Sequence, residues 1–443
     1  MFKKNDYFFF LIFSSYVSCY PIKQTQTTTH PIIPSQSVMP TTKIAGTDEA
    51  KTDVFFIDLF KKYPKLFDSI IAQAKDRNIQ IIYTQVDRSE NNSPRFKDYY
   101  FNVDPKKYFY PASTVKLPTA LLVLQRLYEL KTTGITINTT MLTDAAYSGQ
   151  TAVYNDPNTP DGKPNTRQYI KRIFLVSDND AFNRLYEFLG QQYINDELHK
   201  RGYASAQVLH RLDIFLSEDE NRHTNPVKFL ADDNSVLYQQ GLTFNQTKYD
   251  ARTDSLGKSF YKGDSLIHTP MNFSKKNRIT LPDLHSILRS LIFPNSVEAK
   301  KRFDLTPDDY QFVYKYMSEY PGESIYPAYD TANYPDCYIK FLMNGREDRS
   351  LPKNIRIFNK SGEAYGQLTD IAYVVDLDKN IEFFLSATIN CVIDGIVNND
   401  NYDYETAGYP FLKNLGKVIY DLELHRKRSH APDLSQFKII YDK

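Results

Sequence analysis

The chain has 443 residues, 41% apolar and 24% charged, so it is long enough to build one large domain or two ordinary ones around a substantial core. Its net charge of +1 supplies no strong field for nucleic acid or for an anionic membrane surface, which excludes proteins that bind by bulk charge. The eight histidines form no HExxH or HxH cluster, so we expect no zinc site and no other metal.

The first 19 residues have the features of an export signal. Lys3 and Lys4 precede a mostly apolar stretch at 8–17, which is too short to span a bilayer as a helix. Val17-Ser18-Cys19 resembles a bacterial lipoprotein cleavage site, although Tyr16 stands where that site usually has Leu. Lipidation of Cys19 with membrane attachment, cleavage without a lipid, and retention as an anchor all stay open. In each case we expect an exported protein of the periplasm or cell envelope.

Residues 20–51 are rich in Thr, Pro, Ser and Gln, which predicts a flexible tether. The folded part is predicted to span 52–427, and 428–443 are predicted to be a tail. The chain has three cysteines, and beside Cys19 only Cys337 and Cys391 remain. An exported compartment would permit these two to pair, and two separate buried thiols are the alternative.

Hydrophobic periodicity predicts strands near both ends of the folded part and helices between them. A first helix is predicted at about 52–77, with Pro64 kinking or splitting it, followed by strands at 79–86 and 99–103. The further helices are predicted at 113–130, 166–175, 181–189, 281–291, 307–317 and 409–425. The late strands are predicted at 355–359, 370–376 and 381–388.

This order of elements predicts an α/β sandwich, with one antiparallel sheet built from both chain ends and a helical lobe inserted between its strands. The polar segment 227–277 is predicted to be an irregular insertion that could form a lid or reshape a cleft. We expect the functional site where the lobe meets the sheet, and we expect a monomer.

A nucleophile is predicted at Ser113, in the sequence Tyr110-Pro111-Ala112-Ser113-Thr114-Val115-Lys116. Three residues are nearly one helical turn, so Ser113 and Lys116 face the same way and the amine can take the hydroxyl proton. Burial and the positive end of the helix would lower the pKa of Lys116. S-x-x-K also occurs at Ser255, Ser259, Ser350 and Ser435, but only Ser113 opens a strongly apolar helix just after a strand.

Two further triplets carry candidate groups. In Ser177-Asp178-Asn179, Ser177 would relay a proton to a leaving nitrogen and Asn179 would hold a substrate amide, although Ser and Asp are also ordinary helix caps. In Lys360-Ser361-Gly362, Lys360 would raise the local positive potential and Ser361 would bind a carboxylate, while Gly362 would let a substrate lie against the strand. An edge-strand lysine before a turn is the alternative.

S-x-x-K, S-D-N and K-[ST]-G in this order resemble the signature of class A β-lactamases and penicillin-binding proteins. The Ser113–Ser177 separation (177 − 113 = 64) is close to what that family shows, and the resemblance covers about residues 52–425. It implies a β-lactamase/transpeptidase-like fold, an acyl-serine at Ser113 with Lys116 as its base, and carboxylate binding by Lys360 and Ser361. It also implies an oxyanion hole at the backbone N–H groups of Ser113 and Glu363, and no cofactor.

The chain departs from class A enzymes where these activate water with an omega-loop glutamate in an E-x-x-L-N pattern. Arg211-Leu212-Asp213 resembles the start of that loop, but the pattern itself is absent. Glu218 is the predicted deacylating acid and Glu220 the next candidate, with two solvated loop acids as the alternative.

The leading hypothesis is therefore a hydrolase that cleaves β-lactam amides through an acyl-serine. A D,D-peptidase or related peptidoglycan or ester hydrolase, acting on a D-Ala-D-Ala-like peptide, would use the same residues. A penicillin-binding sensor that stays acylated is the third reading.

Overall fold

The structure is a computed structural model that describes residues 50–347 and 351–443. The predicted signal peptide, Cys19 and nearly all of the predicted tether lie outside the described residues. The α-helices of the described chain are α1 (Val54–Lys62), α2 (Pro64–Ile71), α3 (Lys116–Glu129), α4 (Thr166–Val176), α5 (Asn179–Leu189), α6 (Gln191–Lys200), α7 (Glu218–Arg222), α8 (Leu281–Ile292), α9 (Pro307–Ser318) and α10 (Tyr409–His425).

The strands fall into one long sheet and several short ones. They are β1 (Gln80–Arg88), β2 (Pro94–Phe101), β3 (Thr140–Thr143), β4 (His223–Thr224), β5 (Val227–Leu230), β6 (Val236–Gln240), β7 (Thr243–Phe244), β8 (Ser255–Leu256), β9 (Ser259–Lys262), β10 (Ser265–Ile267), β11 (Met271–Asn272), β12 (Ile355–Ala364), β13 (Gln367–Asp376), β14 (Ile381–Asn390) and β15 (Ile396–Val397). Pro64 separates α1 from α2, as its ring demands at a helix start.

A five-stranded antiparallel sheet organises the molecule, in the order β12-β13-β14-β1-β2. The pairing of β1 with β14 joins the two ends of the chain, with Ile82 opposite Ser386. The sequence-based prediction of one antiparallel sheet made from both ends, in an α/β sandwich, is confirmed.

Two hydrophobic clusters cover the two faces of this sheet. One contains α1, α2 and α10, with Phe56, Phe67 and Leu415 packed on Leu385 and its neighbours. The other contains the helical lobe and α8, with Leu121, Phe174 and Leu288 in the same cluster as Phe384. The lobe is thereby fixed against the sheet, which is where the sequence places the functional site.

The segment 227–277 is more ordered than predicted. It contains β5 to β11, and β5 pairs with β3 of the lobe while β9 pairs in parallel with β15. Val227, Phe229 and Phe273 are buried. The expectation of an irregular segment outside the core is wrong here, because strands this short carry too few alternating positions for their buried face to stand out in a polar sequence.

The predicted tail also belongs to the domain. Leu434 and Phe437 are buried in the lobe cluster, and Asp442 forms ion pairs with Lys171 (3.0 Å) and Lys315 (2.7 Å). The prediction that the folded part stops at residue 427 is therefore wrong. Two apolar residues in a polar stretch were too weak a pattern to predict this packing.

Cys337 and Cys391 are both buried, and no disulfide joins them in the described part of the chain. Of the two alternatives, the structure therefore has separate thiols. Within residues 50–347 and 351–443, no helix combines the length and the apolar character needed to cross a bilayer.

Candidate active site

Ser113 lies in a short 3₁₀ turn at Ala112–Val115 that leads directly into α3. Ala112 has a left-handed backbone (φ +45°), and Thr114 closes the turn by donating from its N–H and its hydroxyl to the carbonyl of Pro111 (3.0 and 2.7 Å). An alanine with positive φ is strained, and such strain is typical of functional turns. The turn presents the Ser113 hydroxyl at the edge of the lobe.

Lys116 is completely buried, and its amine is surrounded by acceptors. Nζ lies 2.8 Å from Ser113 Oγ, within hydrogen-bond distance, and donates to Asn179 Oδ1 (2.6 Å) and to the carbonyl of Ser177 (2.5 Å). Residues three apart on one turn do face the same way, so the predicted contact between Ser113 and Lys116 is present.

Burial lowers the pKa of Lys116 well below its usual value, and the positive charge of Lys360 lowers it further. The carboxylates of Asp178 and Asp213 act in the opposite direction. This agrees with the predicted direction, and Lys360 is a further cause that the sequence did not suggest. A lysine that is neutral near neutral pH can accept a proton from a serine hydroxyl.

Ser177 ends α4 in a left-handed conformation (φ +58°), which turns its carbonyl and hydroxyl toward Lys116. The next residue, Asp178, caps α5 by accepting from the N–H of Ala181 (2.8 Å) and pairs with Arg172 (2.6 Å). The triplet thus caps a helix and also supplies polar groups to the site. The helix cap and the polar groups at the site, which the sequence offered as alternatives, are therefore both present.

Lys360 is the side chain that the central sheet contributes to the same site. It lies on β12 opposite Ile371, is fully buried, and donates from Nζ to Ser177 Oγ (2.9 Å) and to the carbonyl of Ser361 (2.8 Å). Burial lowers the pKa of Lys360 to about 7, against the opposing effect of the Asp370 carboxylate. Ser113, Lys116, Ser177 and Lys360 therefore form one chain of hydrogen bonds across three distant segments.

Gly362 lies where β12 passes closest to the serine turn. A Cβ at this position would meet the Pro111 carbonyl oxygen at 2.6 Å and the backbone nitrogens of Ser113 and Thr114 at 3.1 Å. The sequence attributed this glycine to room for a substrate, but the structure attributes it to close packing between two protein backbones. This contact keeps the strand beside the nucleophile turn.

Ser113 and Glu363 both line the two cavities beside the nucleophile, and Gly362, the residue before Glu363, packs on the backbone of Ser113. The Glu363 side chain turns away to form an ion pair with Arg346 (2.9 Å) and to accept from the Tyr409 hydroxyl. The described positions thus leave the main chain of Glu363 next to Ser113. Backbone N–H groups in such a position can stabilise a developing oxyanion.

Two cavities meet at Ser113, Asn179 and Glu363. The smaller one, about 220 Å³, also contains Ser177 and Ser361, and one wall comes from the segment 338–346 that precedes β12. The larger cleft, about 690 Å³, extends along Glu363–Tyr365 and the loop 210–215, and an aromatic wall at 402–404 closes it. We call these the small pocket and the serine cleft.

Glu218 is not brought to Ser113. It is the first residue of α7, forms exposed ion pairs with Arg222 (3.2 Å) and Lys275 (3.4 Å), and lines neither the small pocket nor the serine cleft. Glu220 is held in a capping box with Ser217. The placement of Glu218 at the site was therefore wrong, because the chain leaves the serine cleft after Phe215.

Asp213 lines the serine cleft, as Glu363 and Asp400 also do, and the sequence analysis did not assign it to the site. It has a left-handed backbone (φ +55°) and acts electrostatically on Lys116. Its position directly after Arg211-Leu212, where the loop begins, was the available signal.

The start of this loop is anchored inside the lobe. Arg211 forms a buried ion pair with Glu187 (2.8 Å), and Asn183 exchanges two hydrogen bonds with the backbone of Leu212 (2.8 and 2.9 Å). These contacts fix the residue immediately before Asp213. The position of Asp213 is thus set by the same helix, α5, that begins with Asn179.

The fold and the site together define the β-lactamase and transpeptidase class of architecture, in which a helical lobe meets the edge of an antiparallel sheet at a serine. The chain belongs to the beta-lactamase enzyme family, whose model matches residues 64–302. This match includes Ser113, Lys116, Ser177 and Asn179 and ends before β12, so Lys360-Ser361-Gly362 lies outside it.

Solved structures of this class are similar over most of their length at low identity. A beta lactamase from Xanthomonas campestris pv. campestris is 13% identical, with 82% of this chain and 97% of that chain covered and a TM-score of 0.45. A class A beta-lactamase from Clostridium kluyveri is 15% identical (84% and 99%, TM-score 0.44), and a PBP-A variant in an acyl-enzyme complex with penicillin G is 13% identical (83% and 96%, TM-score 0.44). No curated protein is similar enough to this chain to count as a match.

Proposed function

We propose that this protein is a class A-type serine hydrolase that opens β-lactam amides through an acyl-enzyme at Ser113. The observation that supports this most directly is the 2.8 Å contact between Lys116 Nζ and Ser113 Oγ, made by a buried amine whose pKa is strongly lowered. Such a pair lets a hydroxyl act as a nucleophile at neutral pH.

In the proposed acylation, neutral Lys116 takes the Ser113 proton while Oγ attacks the lactam carbonyl carbon. The N–H groups of Ser113 and Glu363 would receive the developing oxyanion. When the ring C–N bond breaks, the nitrogen takes a proton from the Ser177 hydroxyl, and Ser177 takes one in turn from protonated Lys116, 3.3 Å away. Lys360 Nζ contacts the same Ser177 oxygen at 2.9 Å. The carboxylate on the leaving side would bind at Ser361 in the small pocket.

For deacylation we propose that Asp213, in place of Glu218, activates the water. It is the acid next to the loop anchor in the serine cleft, and a carboxylate there can accept a proton from a water aimed at the acyl carbonyl. The speed of hydrolysis therefore depends on Asp213, whose side chain is shorter than the omega-loop glutamate of class A enzymes and whose loop has a different sequence.

The experiment is to expose purified protein to a chromogenic cephalosporin and, separately, to a labelled penicillin. Repeated turnover supports the proposal, and a stoichiometric, long-lived adduct would identify a penicillin-binding sensor or a peptidase instead. Cleavage of a D-Ala-D-Ala peptide would identify the peptidase. We expect Ser113→Ala to abolish turnover and adduct, whereas Ser255→Ala, at another S-x-x-K serine, retains both.

Matched variants distinguish the roles of Asp213 and Glu218 in deacylation. Asp213→Asn should lower the deacylation rate by about two orders of magnitude or more while acylation changes far less, because only the second step needs the base. Glu218→Gln should leave both rates near those of the unaltered protein. The reverse pattern would return the role to Glu218.

We also propose export to the cell envelope, with Cys19 as the candidate lipid attachment site. This proposal rests on the sequence of the first 19 residues alone. Mass spectrometry of the mature N-terminus distinguishes a lipid-modified Cys19 from a plain cleaved end.

A further inference from the structure

A third cavity lies beside the serine cleft and is built largely by the segment 227–277. It has a volume of about 650 Å³ and lies between the loop 214–222 on one side and residues 244–250 and 274–276 on the other. We call it the outer cavity. Neither Ser113 nor any other group of the proposed acylation lines it.

The outer cavity and the serine cleft share part of their walls. His210, Ile214, Phe215 and Lys276 line both. Each space alone falls within the range of about 300–1,000 Å³ that holds a drug-sized ligand. A bicyclic β-lactam therefore needs only one of them, and the shared rim makes the second accessible to a longer molecule bound at Ser113.

The ridge between the two spaces is apolar and exposed. Phe215 is 98% exposed and Ile214 is 40% exposed. Large apolar side chains presented together to solvent are typical of surfaces that contact a ligand. A chain that passed from one cavity to the other would cover both.

Lys276 supplies a charge at the same junction. It is half-buried, burial lowers its pKa, and no described carboxylate pairs with it; its Nζ lies 6.0 Å from the centre of the Tyr365 ring. Partly buried cations are usually paired, so an unpaired one beside a cleft favours an anionic group on the ligand. By contrast, Lys275 in the outer cavity already contacts Glu218.

The outer cavity also offers amide groups. The side chains of Gln207 and Gln246 line it and form no hydrogen bond within the described residues. Primary amides can both donate to and accept from a peptide backbone. The lining therefore suits a peptide-like chain better than a purely apolar one.

We propose that the serine cleft and the outer cavity form one binding site for an extended, peptide-like acyl donor, and that Lys276 contacts an acidic group of that donor. This rests on the proposed function, which assigns Ser177 and Ser361 in the small pocket to the leaving group. If the leaving group occupies the small pocket, the acyl chain runs the other way, along β12 and the loop 210–215 toward the outer cavity. Lys276 is thus a specificity residue.

The test uses thioester donors with one thiol leaving group, mercaptoacetate. In each, Ser113 Oγ forms the bond to the acyl carbon, the C–S bond breaks, and the released thiol takes a proton and is detected with a chromogenic disulfide. The short donor is N-acetyl-D-alanyl. The extended donors are N-acetyl tetrapeptides ending in D-Ala, with Glu or Gln at each of the other three positions in turn.

We expect kcat/KM to be about tenfold higher for the best Glu donor than for its Gln partner, as one charge-assisted contact warrants. Lys276→Met should reduce this ratio to near one, and Lys276→Glu should transfer the preference to a Lys-bearing donor. Lys262→Met, on the same segment but outside both cavities, should keep the tenfold ratio. Thermal unfolding of each variant checks that it is folded.

Two results would overturn the inference and are distinct from failure of the proposed function. The first is a short donor that reacts as fast as every extended one. The second is a Glu preference that survives in Lys276→Met. If no donor reacts, the chromogenic cephalosporin is not hydrolysed and penicillin labels no serine, the proposed function itself is wrong.

Discussion

Two lysine amines contact the same serine hydroxyl. Lys116 Nζ is 3.3 Å and Lys360 Nζ 2.9 Å from Ser177 Oγ, and both amines are fully buried. Two charged ammonium groups so close together and out of water repel each other strongly, so protonating one disfavours protonating the other. The pair can therefore pass a proton through Ser177 without either residue leaving its place.

This arrangement predicts the effect of Lys360→Met on the pH profile of acylation. The proposed acylation requires neutral Lys116, so its rate should rise with pH through the lowered pKa of that lysine. Removing the Lys360 charge takes away one cause of the lowering, so the pKa of Lys116 rises and the rising limb moves to higher pH. The measurement is the acylation rate with labelled penicillin across neutral pH.

The matched control is Lys379→Met, at an exposed turn between β13 and β14. Its profile should coincide with that of the unaltered protein. The electrostatic link between the two amines would be contradicted if the rising limb of the pH–rate profile stayed in place or moved to lower pH in Lys360→Met.

Gly362→Ala should damage both stability and rate. The added Cβ would meet the Pro111 carbonyl oxygen at 2.6 Å, and that atom is backbone in the nucleophile turn. We expect a loss of about 1–3 kcal/mol in the free energy of unfolding and a fall in acylation of about 10²-fold, because the turn must shift. Gly241→Ala, where a Cβ meets no atom within 4 Å, should be neutral in denaturant unfolding and in acylation.

At the scale of elements, what the sequence could predict is local. The spacing of Ser113 and Lys116, the caps around Ser177 and the strand before Lys360 each follow from a few neighbouring residues. The packing role of Gly362 and the strands of 227–277 could not be predicted, because each depends on which distant segment packs against it. Asp213 was marked only by its position directly after Arg211-Leu212. Glu218 was misplaced because chain distance says little about where a loop points.

The loop that contains Asp213 depends on α5 through a buried charge pair. Glu187 contacts both Arg211 (2.8 Å) and Arg184 (3.0 Å), and all three side chains are buried. Glu187→Ala would leave the buried guanidinium of Arg211 without its carboxylate and that of Arg184 with only the Asp180 carboxylate at 3.5 Å, so we expect a loss of about 3–5 kcal/mol. Thermal unfolding measures this, and surviving protein should also deacylate more slowly.

The comparison for this variant is Glu298→Ala. Glu298 pairs with Lys300 at 3.0 Å, but both side chains are largely exposed, so its loss should change stability by about 0–1 kcal/mol. Equal effects of the two substitutions would show that the Arg211–Glu187 contact does not hold the loop.

For the whole molecule, the last residues complete the core. Phe437 is buried against Tyr314, Phe358 and Tyr373, at centroid distances of 5.6, 5.2 and 5.2 Å. Phe437→Ala should cost about 3–5 kcal/mol, whereas Ile440→Ala, at a side chain 89% exposed, should stay within about 0.5 kcal/mol. Denaturant unfolding distinguishes them, and a neutral Phe437→Ala would restore the view of these residues as a tail.

The pairing of β1 with β14 has a consequence for how the protein is made. Gln80 lies opposite Thr388, so the first strand of the central sheet must wait for a partner more than 300 residues later in synthesis (388 − 80 = 308). A nascent chain that has already produced the serine turn and the lobe still lacks the strand with Lys360. Contacts this distant along the chain slow folding. Until the ribosome has synthesised β14, the nascent protein cannot assemble its active site.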